Sequence, residues 1–71
     1  MPYIYIMMNR IDDTLLIKWY IEYCSKEDMS QTQMAKNVGR TKSWASRLIH
    51  DQIHRLNFTT RNRIKATLGI Q

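Results

Sequence analysis

The stretch 31–49, QTQMAKNVGRTKSWASRLI, limits the possible folds of this chain more than any other part. Ser30 and Gln33 have the S-x-x-Q spacing of a capping box, which predicts that a helix begins directly after Ser30. Gly39 lies just beyond an apolar stripe, where a left-handed residue commonly closes a helix. Thr41 is a residue type that caps helix starts, so a second helix is predicted to begin at once. Two helices joined by such a short turn form a helix-turn-helix.

Apolar residues repeat at helical spacing on both sides of this turn. Residues three and four positions apart lie on one face of a helix, so each predicted helix has a narrow stripe that faces inward. The predicted helices cover 31–38 and 42–51. The predicted inward residues are Met34, Ala35 and Val38 in the first and Ala45, Leu48 and Ile49 in the second.

The flanking segments predict further helices around this motif. Asp12 or Asp13 suits the start of a helix over 12–25, and a closing helix is predicted over 59–68. Residues 1–10 are predicted to form an extended arm or strand. Because the chain has no repeat, low-complexity tract or Gly/Ser/Pro-rich linker, we expect one all-α domain over 1–71 with four or five helices.

Charge is distributed unevenly along the chain. The 71 residues carry a formal net charge of +5. Residues 1–29 contain three basic and five acidic residues, whereas residues 30–71 contain eight basic and one acidic residue. The basic part is therefore the part with the helix-turn-helix spacing. A concentrated positive surface attracts a polyanion and releases its counterions, which points to nucleic acid as the partner.

The segment 31–49 resembles the helix-turn-helix of the Cro and lambda-repressor family of phage and bacterial regulators. The likeness rests on the opening Gln, the Met-Ala pair, the Val-Gly turn, the Thr cap and the Ser-Arg-Leu of the second helix. The segment FTTRNRIKATLGI resembles the closing helix of that family. Two features depart from its pattern: Trp44 stands where a small or polar residue is usual, and DQIHRLN lacks the usual glycine after the recognition helix.

The outward face of the second helix supplies the candidate contacts to DNA. In helix-turn-helix proteins the amino-terminal part of this helix enters the major groove, while neighbouring residues hold phosphates. Trp44, at the margin of the stripe, is expected to be a half-buried core residue. The candidate base-reading residues are Lys42, Ser43, Ser46 and Arg47. The candidate phosphate contacts are Gln31, Arg40, Thr41, Arg55, Thr59, Thr60 and Arg61; the family resemblance also implies this role for Gln31.

The predicted first helix has more apolar surface than a small helical core covers. Its polar residues form only a thin strip of Thr14, Lys18 and Glu22. Either the apolar arm folds back over the helix, or arm and helix together form a two-fold dimer interface, which suits a palindromic operator. The candidate dimer residues are Tyr3, Ile4, Tyr5, Ile6, Trp19 and Tyr20.

Composition argues against several other classes of function. Cys24 is the only cysteine, so an internal disulfide is excluded and a cytoplasmic protein is expected, with Cys24 packed in the core. The apolar start is too short to span a bilayer. His50 and His54 lack further ligands for zinc, and the chain lacks a glycine-rich phosphate loop. We therefore expect no enzyme, cofactor, metal, membrane partner or small-molecule effector.

These observations together predict a sequence-specific regulator that binds double-stranded operator DNA as a homodimer. The resemblance implies a Cro-like phage or prophage repressor in a bacterial cell, encoded by a phage or a plasmid. Three alternatives remain open: a transcription activator of the same fold, the antitoxin of a toxin–antitoxin pair, and a protein-interaction module that does not bind DNA.

Overall fold

The structure, a computed structural model, describes residues 12–70. This part of the chain consists of four helices without a strand, which confirms the predicted all-α fold. The predicted arm over 1–10 lies outside the described residues. The helices are α1 (Asp13–Lys26), α2 (Gln31–Asn37), α3 (Lys42–Ile49) and α4 (Phe58–Leu68).

Every helix begins at a residue whose side chain accepts a hydrogen bond from an amide of the first turn. Asp12 accepts from the amide of Leu15 at 2.8 Å, and Thr41 caps α3 in the same way. The predicted capping box at Ser30 is confirmed by its hydrogen bonds in both directions with Gln33. The last helix was predicted to begin at residue 59, but Asn57 is its cap and Phe58 its first residue. These caps satisfy amides that lack a partner within the helix.

Each of the four described helices is also followed, within two residues, by a residue with positive φ. Gly39 has a φ of 72° and Gly69 one of 75°, and Asp28 and Asp51 adopt 55° and 61°. The next amide in each case donates back to a carbonyl five residues earlier, as in a Schellman motif. Asp51 thereby does what glycine commonly does after a helix. Because the chain turns there, α3 ends at Ile49, two residues before the predicted end.

The core lies where α1 packs on α4 and α2 packs on α3. The predicted stripe of α3 is wrong at one edge: Ile49 is 39% exposed, whereas Trp44 is only 5% exposed. The inward face of α3 therefore includes the tryptophan in place of the isoleucine. The fully or largely buried apolar residues are Leu16, Ile17, Tyr20, Cys24, Met34, Ala35, Val38, Trp44, Ala45, Leu48 and Ile64.

The hydroxyl group of Tyr20 joins α1 to α2, and Asn37 extends this link to α4. This hydroxyl donates to the carbonyl of Met34 at 2.8 Å, in the last turn of α2, where carbonyls lack helical partners. The amide of Asn37 donates to the Tyr20 oxygen at 3.2 Å and to the Thr67 hydroxyl at 2.8 Å. Burial raises the pKa of Tyr20 to about 12. The hydroxyl is therefore neutral near neutral pH and fixes α2 against α1 and α4.

Asp13 links the start of α1 to the region around the start of α4. One carboxylate oxygen accepts from the Leu56 amide at 2.9 Å, and the other pairs with the guanidinium of Arg61. Both charged side chains are partly shielded from solvent, with 23% and 28% exposed. This contact anchors the connection between α3 and α4, which has no secondary structure of its own.

Candidate nucleic-acid interface

The outward face of α3 carries the four residues predicted to read bases. Lys42, Ser43 and Arg47 are exposed, and Ser46 is half-buried on the same helix. The opposite face is closed by buried residues, so the polar face cannot turn toward the core without breaking that packing. The helix therefore presents one fixed polar surface to solvent.

Two of the side chains on this face lie along the helix axis. The Nε of Arg47 is 3.5 Å from the carbonyl oxygen of Ser43, a long and weak contact. The guanidinium thus lies over the amino-terminal half of α3, which matches the tilt of helical side chains toward the amino terminus. His50 behaves similarly, with its Nδ1 at 2.7 Å from the Ser46 carbonyl oxygen. A weakly held Arg47 can leave its own helix at little cost when another acceptor approaches.

The turn before α3 places two further candidates beside the recognition helix. The guanidinium carbon of Arg40 lies over the Trp44 ring, 5.7 Å from its centroid. Such a contact on an exposed arginine contributes about 0.5 to 1 kcal/mol and orients the side chain. The Thr41 oxygen accepts from the amide of Trp44 at 3.2 Å, which leaves its hydroxyl hydrogen able to donate elsewhere.

Three predicted phosphate contacts remain accessible outside α3 and its turn. Gln31 is half-buried at the first position of α2, and Thr59 is exposed in the first turn of α4. Arg55 is exposed one residue before Leu56, whose amide is held by Asp13. The chain on which Arg55 stands is thus fixed to α1.

Two other predicted phosphate contacts are placed differently from the prediction. Thr60 is only 2% exposed and its side chain faces the core, so the prediction for this residue is wrong. Because Asn57 caps α4, Thr59 faces outward and Thr60 faces inward. Arg61 is ion-paired with Asp13, so a phosphate would have to displace a carboxylate from it. We therefore assign Arg61 to the link between helices.

The segment that contains α2, the turn and α3 has charges of one sign only. Residues 29–50 contain four basic residues and no aspartate or glutamate. Within residues 12–70, no acidic side chain forms an ion pair with any of these four cations. The four basic residues are Lys36, Arg40, Lys42 and Arg47.

Of the residues predicted for a dimer interface, the structure describes only Trp19 and Tyr20. Tyr3, Ile4, Tyr5 and Ile6 lie outside the described residues. Tyr20 is fully buried inside the monomer, so it cannot contact a second chain in this fold, and its assignment to the interface is corrected. Trp19 is half-buried and lies beside the end of α4, near Leu68 and Ile70.

His50 and His54 do not lie on one helix, because α3 ends at Ile49. His54 is instead 3.8 Å from the carboxylate of Asp51. Among residues 12–70, no helix combines the length and the hydrophobicity needed to cross a bilayer.

Two residues that support this surface were not predicted to do so. Asn57 sets the start of α4 and thereby the orientation of Thr59, and an Asn three residues before a helical Thr is a recognisable cap signal. Asp13 fixes the connection that carries Arg55. The adjacent residues Asp12 and Asp13 gave a signal for this contact. Only one of the two carboxylates can cap the helix, so the other is able to contact a different segment.

Comparison of the chain with protein-family models gives no match, and searches of the curated proteins and of the solved structures also find none. The resemblance to the Cro and lambda-repressor family therefore stays a prediction from the motif. A helical fold by itself hosts many activities, so function has to be argued from the side chains of the surface and their charge.

Proposed function

We propose that this chain is a sequence-specific regulator that binds double-stranded DNA by placing α3 in the major groove. The observation that carries the proposal is the outward face of α3: exposed Lys42, Ser43 and Arg47 on a capped helix, within a region of purely positive charge. The DNA backbone is a dense polyanion, and its major groove admits one α-helix. Charge and shape thus favour the same partner.

Arg47 and Lys42 are proposed to read bases. Arginine can donate two hydrogen bonds to O6 and N7 of guanine, which contributes about 1 to 3 kcal/mol of discrimination against a wrong base. The contact of Arg47 with the Ser43 carbonyl is long at 3.5 Å, so it is easily exchanged for a base. Ser43 and Ser46 have short side chains that permit close approach of the helix to the groove.

Phosphates are proposed to be held by residues around α3. Gln31, Arg40 and Thr41 precede or lie within the turn, and Arg55 and Thr59 stand on the connection and the first turn of α4. Contacts of this type fix the position of a protein on DNA without reading its sequence. We propose further that the chain acts as a Cro-like phage or prophage repressor, a homodimer on a palindromic operator in the bacterial cytoplasm.

Selection of bound duplexes from a random DNA pool, at near-physiological salt, tests the proposal. We expect enrichment of a two-fold-symmetric site whose half-sites lie about one helical turn apart. Retention of DNA without an enriched sequence, lost as salt rises, would mean that only the basic surface binds. In that case base reading by α3 would be refuted.

Arginine substitutions separate base contacts from phosphate contacts. Arg47→Ala is expected to relax the preference at one base pair, whereas Arg55→Ala should weaken binding to all sequences and reduce the salt slope by about one unit. Lys26→Ala is the matched control, since Lys26 is exposed at the end of α1, outside the proposed surface. Equal effects of Arg47→Ala and Arg55→Ala on every sequence would contradict the division.

A further inference from the structure

An apolar groove of about 430 Å³ runs between α1, the end of α3 and the connection that follows it. Its floor is aliphatic and its rim is polar, which is the usual composition of a protein-binding surface with a water-exposed border. The lining residues are Thr14, Ile17, Lys18, Ile21 and Glu22 of α1, Leu48 and Ile49 of α3, and Asp51, Ile53 and His54.

The apolar surface continues past this groove. Ile21 and Ile49 also line a neighbouring cleft that extends to Met29 and Met34. Ile49 is 39% exposed, although it lies between two clefts lined by other apolar side chains. Contiguous apolar surface on a soluble fold commonly marks an interaction site, whereas single exposed apolar residues do not.

The rim of the groove carries both signs of charge. Lys18 stands on one edge, and Glu22 and Asp51 are the acidic groups nearby. A DNA surface would be expected to exclude carboxylates, and residues 29–50 contain none. Within residues 12–70, Lys18 and Glu22 do not pair with each other or with another charged side chain. Their charges are therefore available to a protein partner.

We propose that the occupant of this groove is a second copy of the chain, with the two α1 helices packed antiparallel about a two-fold axis. A two-fold axis at the level of Tyr20 brings residue 18 of each helix to the height of residue 22 of the other, because the rise per residue is constant. Lys18 of each copy then faces Glu22 of its partner, so the dimer contains two such pairs. Ile21 lies one residue from the axis, where two isoleucines meet. An isologous contact of this kind closes at two chains.

This inference rests on the homodimer in the proposed function and gives it a location. The wall of the groove opposite α1 is formed by Leu48 and Ile49, the end of the recognition helix. A partner seated there is held directly against α3. The distance between the two recognition helices, and with it the spacing of the half-sites, would then be set by the packing of α1 on α1.

Charge reversal tests the proposal on the complete chain without DNA. In K18E, two glutamates face each other at both sites of the homodimer, and in E22K two lysines do so. We expect sedimentation equilibrium to give a dimer for the wild-type chain at tens of micromolar, and at least about tenfold weaker association for each variant. An equimolar mixture of K18E and E22K restores both opposite-charge pairs, so its association should return toward the wild-type value.

The mixture excludes an effect within one chain, since a Lys18–Glu22 interaction inside each helix would not be restored by mixing. Lys36→Glu, an exposed reversal outside the groove, is the matched control and should leave association unchanged. Circular dichroism verifies that each variant is folded. A monomeric wild-type chain, as expected if the groove takes a different protein, would overturn the proposal. So would a mixture that stays as weak as its components.

The outcome is separable from that of the DNA selection. A dimer that responds to charge reversal but enriches no DNA site would refute the proposed function and leave this interface standing. A monomer that enriches a single half-site would overturn this interface and the proposed homodimer, and would leave base reading by α3 standing.

Discussion

Replacing Tyr20 with phenylalanine removes one hydroxyl from the junction of α1, α2 and α4 and leaves the ring in place. The hydroxyl donates to the carbonyl of Met34 at 2.8 Å and accepts from Asn37 at 3.2 Å. Because the Met34 carbonyl loses its buried donor and no cavity forms, Tyr20→Phe should lower the free energy of unfolding by about 1 to 3 kcal/mol near neutral pH.

The cost of the same substitution should become smaller in alkali. Burial raises the pKa of Tyr20 from 10.0 to about 12, so the folded chain keeps the proton that the unfolded chain loses. The stability that depends on this proton is complete below about pH 10 and is lost as the pH rises toward about 12. The loss amounts to at most about 2 to 3 kcal/mol. Phenylalanine has no such proton, so the variant is spared this loss.

Urea unfolding of both chains, followed by circular dichroism from about pH 7 to about pH 11.5, measures the difference directly. We expect the wild-type chain to be the more stable one at neutral pH and its advantage to shrink or reverse above about pH 10. Tyr23→Phe is the matched control, because Tyr23 is on the same helix but only half-buried. A difference between wild type and Tyr20→Phe that stays constant over the whole range would refute the role given to burial.

Three further substitutions test the helix ends and the Asp13 link. Gly39→Ala should lower the free energy of unfolding by about 1 kcal/mol, because φ is 72° and the added Cβ would meet no atom, which leaves only backbone strain. Asp51→Gly should raise it by up to about 1 kcal/mol for the same reason, and both are measured by thermal unfolding. Asp13→Asn should lower it by about 1 to 2 kcal/mol through loss of the Arg61 pair, and less at high salt; a salt-independent loss would contradict the ionic part.

Three of the four described helix starts were predicted from the sequence, because their causes are local. The Ser30–Gln33 capping box needs only three residues of separation, and Gly39 closes α2 at the position where the apolar stripe ends. A cap or a left-handed glycine depends on little beyond its own turn of chain. The helix-turn-helix spacing is built from such signals, which is why it could be found without the structure.

The left-handed Asp51 could not be predicted with the same ease. Aspartate tolerates positive φ but does not require it, so its occurrence after a helix is a weak signal. The sequence was also ambiguous about which residues of α3 face the core. Ala45 and Leu48 fix the centre of the apolar stripe, and periodicity then permits either Trp44 or Ile49 at its edge. Only the packing against neighbouring helices decides between the two.

Contacts across long stretches of sequence were beyond local signals. Asp13 pairs with Arg61, which is 48 residues away, and no pattern in either segment marks the other. The phosphate prediction failed at Thr60 for a local reason, the missed cap at Asn57. Two adjacent threonines at a helix start differ by about 100° in direction, so an error in the position of the cap exchanges the inward and the outward one.

The two proposed surfaces share α3 but differ in charge, so one substitution can change the groove without changing the face that is proposed to bind DNA. The face with Lys42 and Arg47 is purely basic, while the groove beyond Ile49 carries both signs. If the chain pairs through the groove only at tens of micromolar, most of it is monomeric at lower concentration, and two half-sites are filled together only when DNA brings the copies together. Occupancy of a palindromic site would then rise roughly with the square of the chain concentration.

K18E, which leaves the face of α3 intact, should leave binding to a single half-site unchanged and weaken binding to the full site. A loss of equal size on both sites would mean that Lys18 contacts DNA itself and that the groove is not the dimer interface.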